Sequence, residues 1–195
     1  MKNIVVFASG SGSNFQSLIE ATLTGQIPGV ITGLITDRKN IQAIDRAKKH
    51  NIPVEILNPS SFDNEETYST TLLKTLSRFN TDLIVLAGYL KKIPNSIISI
   101  YQNRILNIHP SLLPKYGGKG FYGKRVHQAV IENNEAESGC TVHLVTEIYD
   151  DGPVLGQSKI MLAEDETADS LAKKILALEH KLYPQVISDF LKTNV

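Results

Sequence analysis

Short apolar runs alternate with amphipathic segments along the 195-residue chain. Several runs are apolar throughout, which is typical of central strands in a parallel sheet. The predicted strands are Ile4–Ala8, Val30–Thr36, Ile52–Leu57, Asp82–Ala87, Arg104–Ile108, Cys140–Thr146 and Val154–Ile160. Because little sequence separates the last two strands, we expect them to pair antiparallel.

Apolar residues at helical spacing lie between these strands. They are Phe15, Leu18, Ile19 and Leu23, then Ala43, Ile44 and Ala47, then Leu72, Leu73, Leu76 and Phe79, then His127–Ile131, and finally Ala168, Leu171, Ala172, Ile175, Leu178 and Leu182. Asp63 and Glu66 predict a capping box before the third helix, and Pro184 predicts the end of the last helix. The alternation predicts a single-domain α/β protein with an open, mostly parallel twisted sheet, helices on both faces and an antiparallel C-terminal strand pair.

Composition excludes several classes of function. Apolar residues make up 42% of the chain and charged residues 21%, as in ordinary globular proteins. Lys and Arg number 20 and Asp and Glu number 20, so zero net charge argues against a nucleic-acid partner. No apolar run predicts a membrane span or a signal peptide, so a cytoplasmic protein is expected. The single cysteine, Cys140, lies in a predicted buried strand and cannot build a disulfide or a metal cluster alone, so we expect no metal site.

The glycine-containing segment Ser9–Asn14 directly follows the first predicted strand. Its glycines let the backbone approach a ligand, and free N–H groups at a helix start favour an anion. Ser13 and Asn14 would add polar donors. A dinucleotide fingerprint would require a third glycine where Phe15 stands. The segment alone is compatible with a monophosphate site, a dinucleotide site or a plain tight turn.

A second candidate site begins where the fifth predicted strand ends. Asn107 and His109 alternate along an extended chain and therefore point the same way, before Pro110 interrupts the strand. An amide donor beside a titratable donor suits a carbonyl oxygen that becomes an oxyanion during acyl transfer. Asp150, in the turn between the two late strands, could raise the pKa of His109 and orient its ring. A buried amide with a surface histidine, and ordinary turn chemistry at Asp150, are the alternatives.

Two other features could serve a ligand. Glu179 falls on the apolar face of the last helix, either as a rim residue that reaches solvent or as a ligand-binding group. After the fourth strand, Leu90 and Ile93 could line an apolar slot at the edge where open α/β sheets bind ligands. Lys91 and Lys92 could meet an acidic tail or simply be solvated.

Six motifs occur in a specific order along the chain. They are Gly10–Asn14 (GSGSN), Leu86–Leu90 (LAGYL), Asn107–Pro114 (NIHPSLLP), Val142–Thr146 (VHLVT), Asp150–Pro153 (DDGP) and Leu178–Pro184 (LEHKLYP). In these motifs the chain resembles, over essentially its whole length, the phosphoribosylglycinamide formyltransferase branch of the formyl-folate transferase family, which acts in purine biosynthesis.

This resemblance implies a Rossmann-like formyltransferase fold, with a phosphate-binding half over 1–100 and a catalytic and folate half over 101–195. It implies that 10-formyltetrahydrofolate is the formyl donor and glycinamide ribonucleotide the acceptor, in a monomer or homodimer that binds small molecules only. Matching motifs imply a catalytic trio of Asn107, His109 and Asp150; a ribonucleotide site of Gly12, Ser13, Asn14 and Glu179; and a folate site of Leu90, Lys91, Lys92, Ile93, Asn107, Thr146, Glu147, Ile148, Tyr149 and Asp150.

Two segments depart from the common family pattern. Glu65 stands where an Arg that contacts the folate is expected. The basic segment Gly117–Arg125 replaces a shorter Pro-Gly-Leu-His sequence, and is either a lid or a variant surface loop.

Two alternative functions remain. Formyltetrahydrofolate hydrolase shares the trio but passes the formyl group to water, and it resembles this chain with an added N-terminal regulatory domain. A non-catalytic nucleotide-binding module would use the glycine segment only and would leave the trio unexplained. Methionyl-tRNA formyltransferase is disfavoured by the zero net charge and by its additional C-terminal domain.

Overall fold

A seven-stranded sheet forms the centre of the protein, whose computed structural model describes residues 1–194. The strands are β1 (Lys2–Phe7), β2 (Gly29–Thr36), β3 (Val54–Ile56), β4 (Leu83–Leu86), β5 (Ile105–His109), β6 (Glu137–Leu144) and β7 (Val154–Met161). The α-helices are α1 (Ser13–Leu23), α2 (Gln42–Lys49), α3 (Glu65–Arg78), α4 (Asn95–Ile100), α5 (Lys124–Glu132) and α6 (Ala168–Asn194). None of these helices combines the length and apolar character that a membrane span requires.

The strand order is β3-β2-β1-β4-β5-β6-β7. Strands β1 to β5 run parallel to one another, whereas β6 pairs antiparallel with both β5 and β7. The predicted α/β class, the mostly parallel sheet and the antiparallel C-terminal pair are therefore confirmed. From β1 the chain adds β2 and β3 on one side of the sheet and then returns to add β4 and β5 on the other side. Ligands of open α/β sheets bind at such a switch point, beyond the carboxyl ends of the strands.

Alternation along β1 supplies both hydrophobic cores. Ile4 and Val6 face a core that includes residues of α1, α2 and α6, whereas Val5 and Phe7 face a core that includes residues of α3 and α4. All four side chains are almost fully buried. Each such side chain contributes about 1.5–3 kcal/mol relative to exposure to water, so the two cores hold the carboxyl ends of the central strands in place.

Helix α6 continues past Pro184 to Asn194, so the prediction that it ends near this proline is wrong. A proline inside a helix removes one backbone hydrogen bond and costs roughly 3 kcal/mol. Four apolar side chains beyond it are buried, and each contributes about 1.5–3 kcal/mol, so their burial outweighs that cost. They are Val186, Ile187, Phe190 and Leu191.

Three local predictions differ from the structure. The capping box before α3 is made by Asn64 and Thr67, not by Asp63 and Glu66, because the helix starts at Glu65. Helix α4 was not predicted, since its six residues show too little periodicity. Leu23, at the end of α1, is 72% exposed because the last turn of the helix extends beyond the core.

Candidate active site

One cavity of about 600 Å³ lies beyond the carboxyl ends of β1, β4 and β5. This volume is in the usual range for a small-molecule site. Every candidate site residue from the sequence lines it. These residues are Gly12, Ser13, Asn14, Leu90, Lys91, Lys92, Ile93, Asn107, His109, Thr146, Glu147, Ile148, Tyr149, Asp150 and Glu179.

Gly12 shapes the loop between β1 and α1. Its φ of 69° is left-handed, and a Cβ added to it would lie 2.7 Å from the Cβ of Ala43, so glycine is required for both conformation and space. Gly12 is the N-cap of α1, and in the described part of the chain no side chain caps this helix by a hydrogen bond. An uncapped helix start that borders the cavity favours an anionic ligand group. Phe15 is fully buried at the position where a dinucleotide site needs its third glycine.

Asn14 and Glu179 join helices α1 and α6 at the cavity wall. The Asn14 Nδ2 atom donates a hydrogen bond of 2.6 Å to Glu179 Oε2. Glu179 is only 7% exposed, so the interpretation of this residue as a rim carboxylate that reaches solvent is wrong. Burial raises the pKa of Glu179 to about 7, although the Asn14 hydrogen bond acts in the opposite direction. The Oδ1 atom of Asn14 is buried, has no hydrogen-bond partner among residues 1–194, and is available to a ligand.

Tyr183 fixes the position of Glu179 one helical turn away. Its hydroxyl lies 2.9 Å from the Leu86 carbonyl oxygen and 3.0 Å from that of Leu106, and it donates to these acceptors. The Tyr183 ring is fully buried. Helix α6 is therefore tied directly to β4 and β5, and the Glu179 side chain is held at the ends of these strands.

His109 and Asp150 face each other inside the cavity. His109 Nδ1 lies 3.5 Å from Asp150 Oδ2, and the imidazole is almost fully buried. Asp150 has a left-handed backbone with φ 55°, and its Oδ2 also accepts a 2.9 Å hydrogen bond from the Gly118 N–H. Asp151, its neighbour in the same turn, is exposed. Of the two carboxylates, Asp150 is the one beside the imidazole.

The pKa of His109 is lowered, not raised as expected from a nearby carboxylate. Burial is the largest cause, and it outweighs the opposing effects of Asp150 and of the Tyr116 carbonyl. The Tyr116 carbonyl can only accept, so the proton on His109 lies on Nε2, which donates to it over 2.8 Å. Asp150 favours a proton on Nδ1 as well. Only the doubly protonated imidazolium can donate to the Tyr116 carbonyl and to Asp150 at the same time. Additional negative charge in the cavity would therefore stabilise the imidazolium.

The carboxylate of Asp150 remains ionised at neutral pH. Burial acts to raise its pKa, but the nearby imidazoles of His143 and His109, together with the Gly118 N–H, lower it below the ordinary value. A carboxylate with a low pKa is a weak base and a poor proton acceptor. Asp150 is therefore better suited to stabilise a neighbouring cation than to take up a proton itself.

His143 is a site residue that the sequence interpretation missed. It pairs across the β5–β6 ladder with Asn107, and its Nε2 lies 3.0 Å from Asn107 Nδ2 and 3.5 Å from Asp150 Oδ1. Its Nδ1 donates to the Leu144 carbonyl over 2.9 Å, so in the neutral tautomer Nε2 accepts from the Asn107 amide. His143 thereby orients the Asn107 side chain. The alternation of His143 with Thr141 was visible in the sequence, but its register against Asn107 was not.

Cys140 is fully buried in β6. Burial, with a smaller contribution from the Glu179 charge, raises the pKa of its thiol to about 12. A neutral, buried thiol is unsuited to act as a nucleophile. Within residues 1–194, no group of three or more His, Cys, Asp or Glu side chains is arranged to hold a metal ion.

A protein-family model described as Formyl transferase matches residues 2–187. The chain belongs to the formyl transferase family. The resemblance to this family that the six sequence motifs indicated is therefore confirmed, and the match covers nearly all of the sheet and its helices.

Members of this family with curated names are similar along most of the chain. A phosphoribosylglycinamide formyltransferase of Escherichia coli (strain K12) is 37% identical over 188 residues, which cover 96% of this chain and 86% of the relative. A chloroplastic phosphoribosylglycinamide formyltransferase of Vigna unguiculata is 43% identical over 187 residues, but the chain spans only 60% of its length. The crystal structure of phosphoribosylglycinamide formyltransferase from Bacillus halodurans superposes with a TM-score of 0.92 at 35% identity, covering 100% of this chain and 97% of the other.

The two departures from the common formyl transferase pattern lie in different places. Glu65 is exposed at the start of α3 and does not line the cavity, so it does not take the place of the missing Arg there. The segment Gly117–Arg125 does border the cavity, through Gly118 to Lys124. Through the Gly118 N–H, and through the adjacent Tyr116 carbonyl, this part of the chain contacts both Asp150 and His109.

Proposed function

We propose that this chain transfers the formyl group of 10-formyltetrahydrofolate to the primary amine of glycinamide ribonucleotide, a step of purine biosynthesis. The observation that carries the proposal is that one cavity combines an uncapped glycine loop, suited to a phosphate, with the Asn107, His109 and Asp150 set, suited to acyl transfer. The names of the relatives in Escherichia coli and Bacillus halodurans support the same reaction.

In this proposal the ribonucleotide lies along α1 and α6. Its phosphate binds Gly12, Ser13 and Asn14 at the start of α1, and Glu179 contacts the ribonucleotide beyond the phosphate. The folate binds on the other side of the cavity, between Leu90–Ile93 and Thr146–Asp150. The exposed apolar parts of Leu90, Ile148 and Tyr149 on that side support a site for an aromatic ring system.

The reaction is a direct transfer. The amine nitrogen attacks the formyl carbon, so a new carbon–nitrogen bond forms while negative charge develops on the formyl oxygen. The Asn107 amide and His109 donate hydrogen bonds to that oxygen, and His109 does so when its Nε2–H exchanges the Tyr116 carbonyl for the formyl oxygen. Preorganised donors of this kind typically contribute 10²–10³-fold each to a rate.

Asp150 stabilises the charged imidazole as the oxyanion forms. The bond between the formyl carbon and N10 of the folate then breaks, and the proton lost by the attacking amine passes, through a water molecule held by Asp150, to N10. No covalent intermediate with the protein is required, in agreement with the high pKa of the Cys140 thiol.

For location, oligomeric state and partners, our proposal keeps the prediction made from the sequence. It is a cytoplasmic enzyme, monomeric or homodimeric, that binds small molecules only. Zero net charge supports the expected lack of a nucleic-acid partner.

The function is tested by mixing the purified protein with 10-formyltetrahydrofolate and following loss of the formyl group with and without glycinamide ribonucleotide. We expect deformylation only when the ribonucleotide is present, with formylglycinamide ribonucleotide as the product. Deformylation at the same rate without the ribonucleotide would favour a hydrolase, and binding of the ribonucleotide without any deformylation would favour a non-catalytic binding module.

A further inference from the structure

His127 is a buried polar residue that the proposed reaction does not use. It lies on α5 and is 5% exposed, and its Nδ1 atom is buried with no hydrogen-bond partner in the part of the chain that the structure describes. An unpaired buried polar atom lowers stability because it has lost its hydrogen bonds to water, whereas an apolar side chain of similar size would avoid this cost. The fold itself therefore gives no reason for a histidine at this position.

The ring of His127 lines the active-site cavity. Lys124, three residues earlier on the same face of α5, lines it as well. Helix α5 packs against α6, which carries Ile175 and Glu179 on the cavity wall, and α6 packs in turn against α1. His127 therefore belongs to the side of the cavity that is formed by α1, α5 and α6, and not to the side formed by the segments that follow β4 and β6.

The imidazole of His127 is neutral in this position. Burial, with a smaller contribution from the charge of His109, lowers its pKa. A neutral imidazole offers one N–H donor and one acceptor nitrogen, which suits a hydroxyl or an amide better than a phosphate.

We propose that His127 is a further binding residue for the acceptor nucleotide, and that it hydrogen-bonds an uncharged hydroxyl or amide group of that substrate. This inference rests on the proposed function, because it assumes that the nucleotide occupies the side of the cavity formed by α1, α5 and α6. It gives a reason for keeping a histidine that costs stability, since buried polar groups that lower stability are characteristic of binding sites.

The test replaces the ring with an apolar side chain in His127→Leu and with a hydrogen-bonding one in His127→Gln. We expect His127→Leu to raise both the KM and the calorimetric Kd for glycinamide ribonucleotide about tenfold, to leave the KM for 10-formyltetrahydrofolate within twofold, and to leave the unfolding temperature unchanged or higher. His127→Gln should recover part of the lost affinity.

His50→Leu is the matched control. His50 also has a buried ring nitrogen with no hydrogen-bond partner among the residues that the structure describes, but it lies at the end of α2, away from the cavity. This control should leave both KM values unchanged.

A wild-type KM for the ribonucleotide in His127→Leu, or an equal rise in the KM for both substrates, would overturn the proposal. If His127→Leu does not fold, the Kd of His127→Gln for the ribonucleotide decides. A raised Kd would support the proposal, whereas a wild-type Kd would assign His127 a structural role and overturn it. A wild-type protein that does not bind the ribonucleotide would overturn the proposed function itself.

Discussion

The two sides of the cavity are built in different ways. On the side formed by α1, α5 and α6, Asn14 and Glu179 are buried on long helices, and Tyr183 ties α6 to the sheet. On the reaction side, His109 ends a strand, and Asp150 lies in a turn with a left-handed backbone. The contacts on the helical side join one helix to another or to the sheet, whereas loop backbone groups hold the reaction side.

This difference separates binding from chemistry. Helices packed on a hydrophobic core hold polar groups in a fixed place, which suits recognition of a substrate that keeps its structure. A turn and a loop can exchange a carbonyl for a substrate oxygen, as the contact between Tyr116 and His109 requires in the proposed reaction. Substitutions on the two sides should therefore affect different kinetic constants.

The largest effect is expected from Asp150→Asn. Asparagine tolerates the left-handed backbone of this position and keeps the size of the side chain, so the protein should still fold. Loss of the charge beside His109 should lower kcat roughly 10³-fold with little change in KM for the ribonucleotide, in steady-state assays. Asp151→Asn, one residue away and exposed, should keep wild-type kcat. Near-normal turnover by Asp150→Asn would exclude the proposed mechanism.

A somewhat smaller loss is expected from Asn107→Ala. The variant removes one donor to the developing oxyanion, so kcat should fall about 10²-fold in the same assay. The variant also removes the hydrogen bond between residue 107 and His143.

His143→Gln tests whether Asn107 acts directly on the substrate. Its amide can still contact Asn107, so this variant should lose less activity than Asn107→Ala. Equal losses in both variants would mean that Asn107 does not act directly on the substrate.

On the helical side, Glu179→Gln should change binding and stability together. We expect KM for the ribonucleotide to rise about tenfold with kcat nearly retained. Because the folded-state pKa of Glu179 is raised to about 7, the native state binds more protons than the unfolded state between about pH 4.5 and pH 7, so wild-type stability is lost as pH rises through this window.

The glutamine variant carries no charge at any pH. Its free energy of unfolding should therefore exceed that of wild type at pH 8, by on the order of 3 kcal/mol, and match it near pH 4.5. Denaturant titrations at the two pH values measure this difference, with the exposed Glu164→Gln as a control that should show none. A variant that is less stable than wild type at pH 8 would contradict the assignment of a costly buried charge.

The smallest effect is expected from Gly117→Ala. A Cβ at this position would lie 2.6 Å from Leu113 Cδ2 and 3.2 Å from the Cβ of Asp150. The end of the Leu113 side chain can move aside, but the loop and Asp150 must move apart by a few tenths of an ångström. We expect kcat to fall about fivefold, since displacement of a supporting contact weakens the position of a catalytic group without removing it. The calorimetric Kd for the ribonucleotide should not change. Gly25→Ala, at an exposed position far from the cavity, is the control. Within residues 1–194 no atom lies within 4 Å of its added Cβ, but its φ of 77° disfavours alanine, so stability should fall while kcat stays unchanged.

Much of the fold could be predicted from the sequence because the apolar runs, the helical spacing and the order of the elements all indicated the same architecture. Apolar runs marked the strands, and the spacing between them marked the helices and the antiparallel end of the sheet. The end of α6 was predicted wrongly because a local signal, Pro184, was outweighed by burial of residues that follow it. Local rules fail in this way wherever tertiary packing contributes more free energy than the local preference.

The site was predictable in part. Asn107 and His109 could be paired from strand alternation alone, and Asp150 could be placed at the same edge from the chain order. The partnership of His143 with Asn107 depends on the exact register of β5 against β6, which alternation does not determine. The lowered pKa of His109 depends on its burial in three dimensions, so the presence of a carboxylate in the sequence predicted the wrong direction.

The central claim, that the two sides of the cavity divide binding from chemistry, is tested most directly by calorimetric titration of glycinamide ribonucleotide into Asp150→Asn. The account predicts a Kd within about twofold of the wild-type value in a variant that has lost nearly all turnover. A Kd weakened as strongly as kcat/KM would contradict it, because Asp150 would then belong to the binding of the nucleotide and not to the transfer of the formyl group.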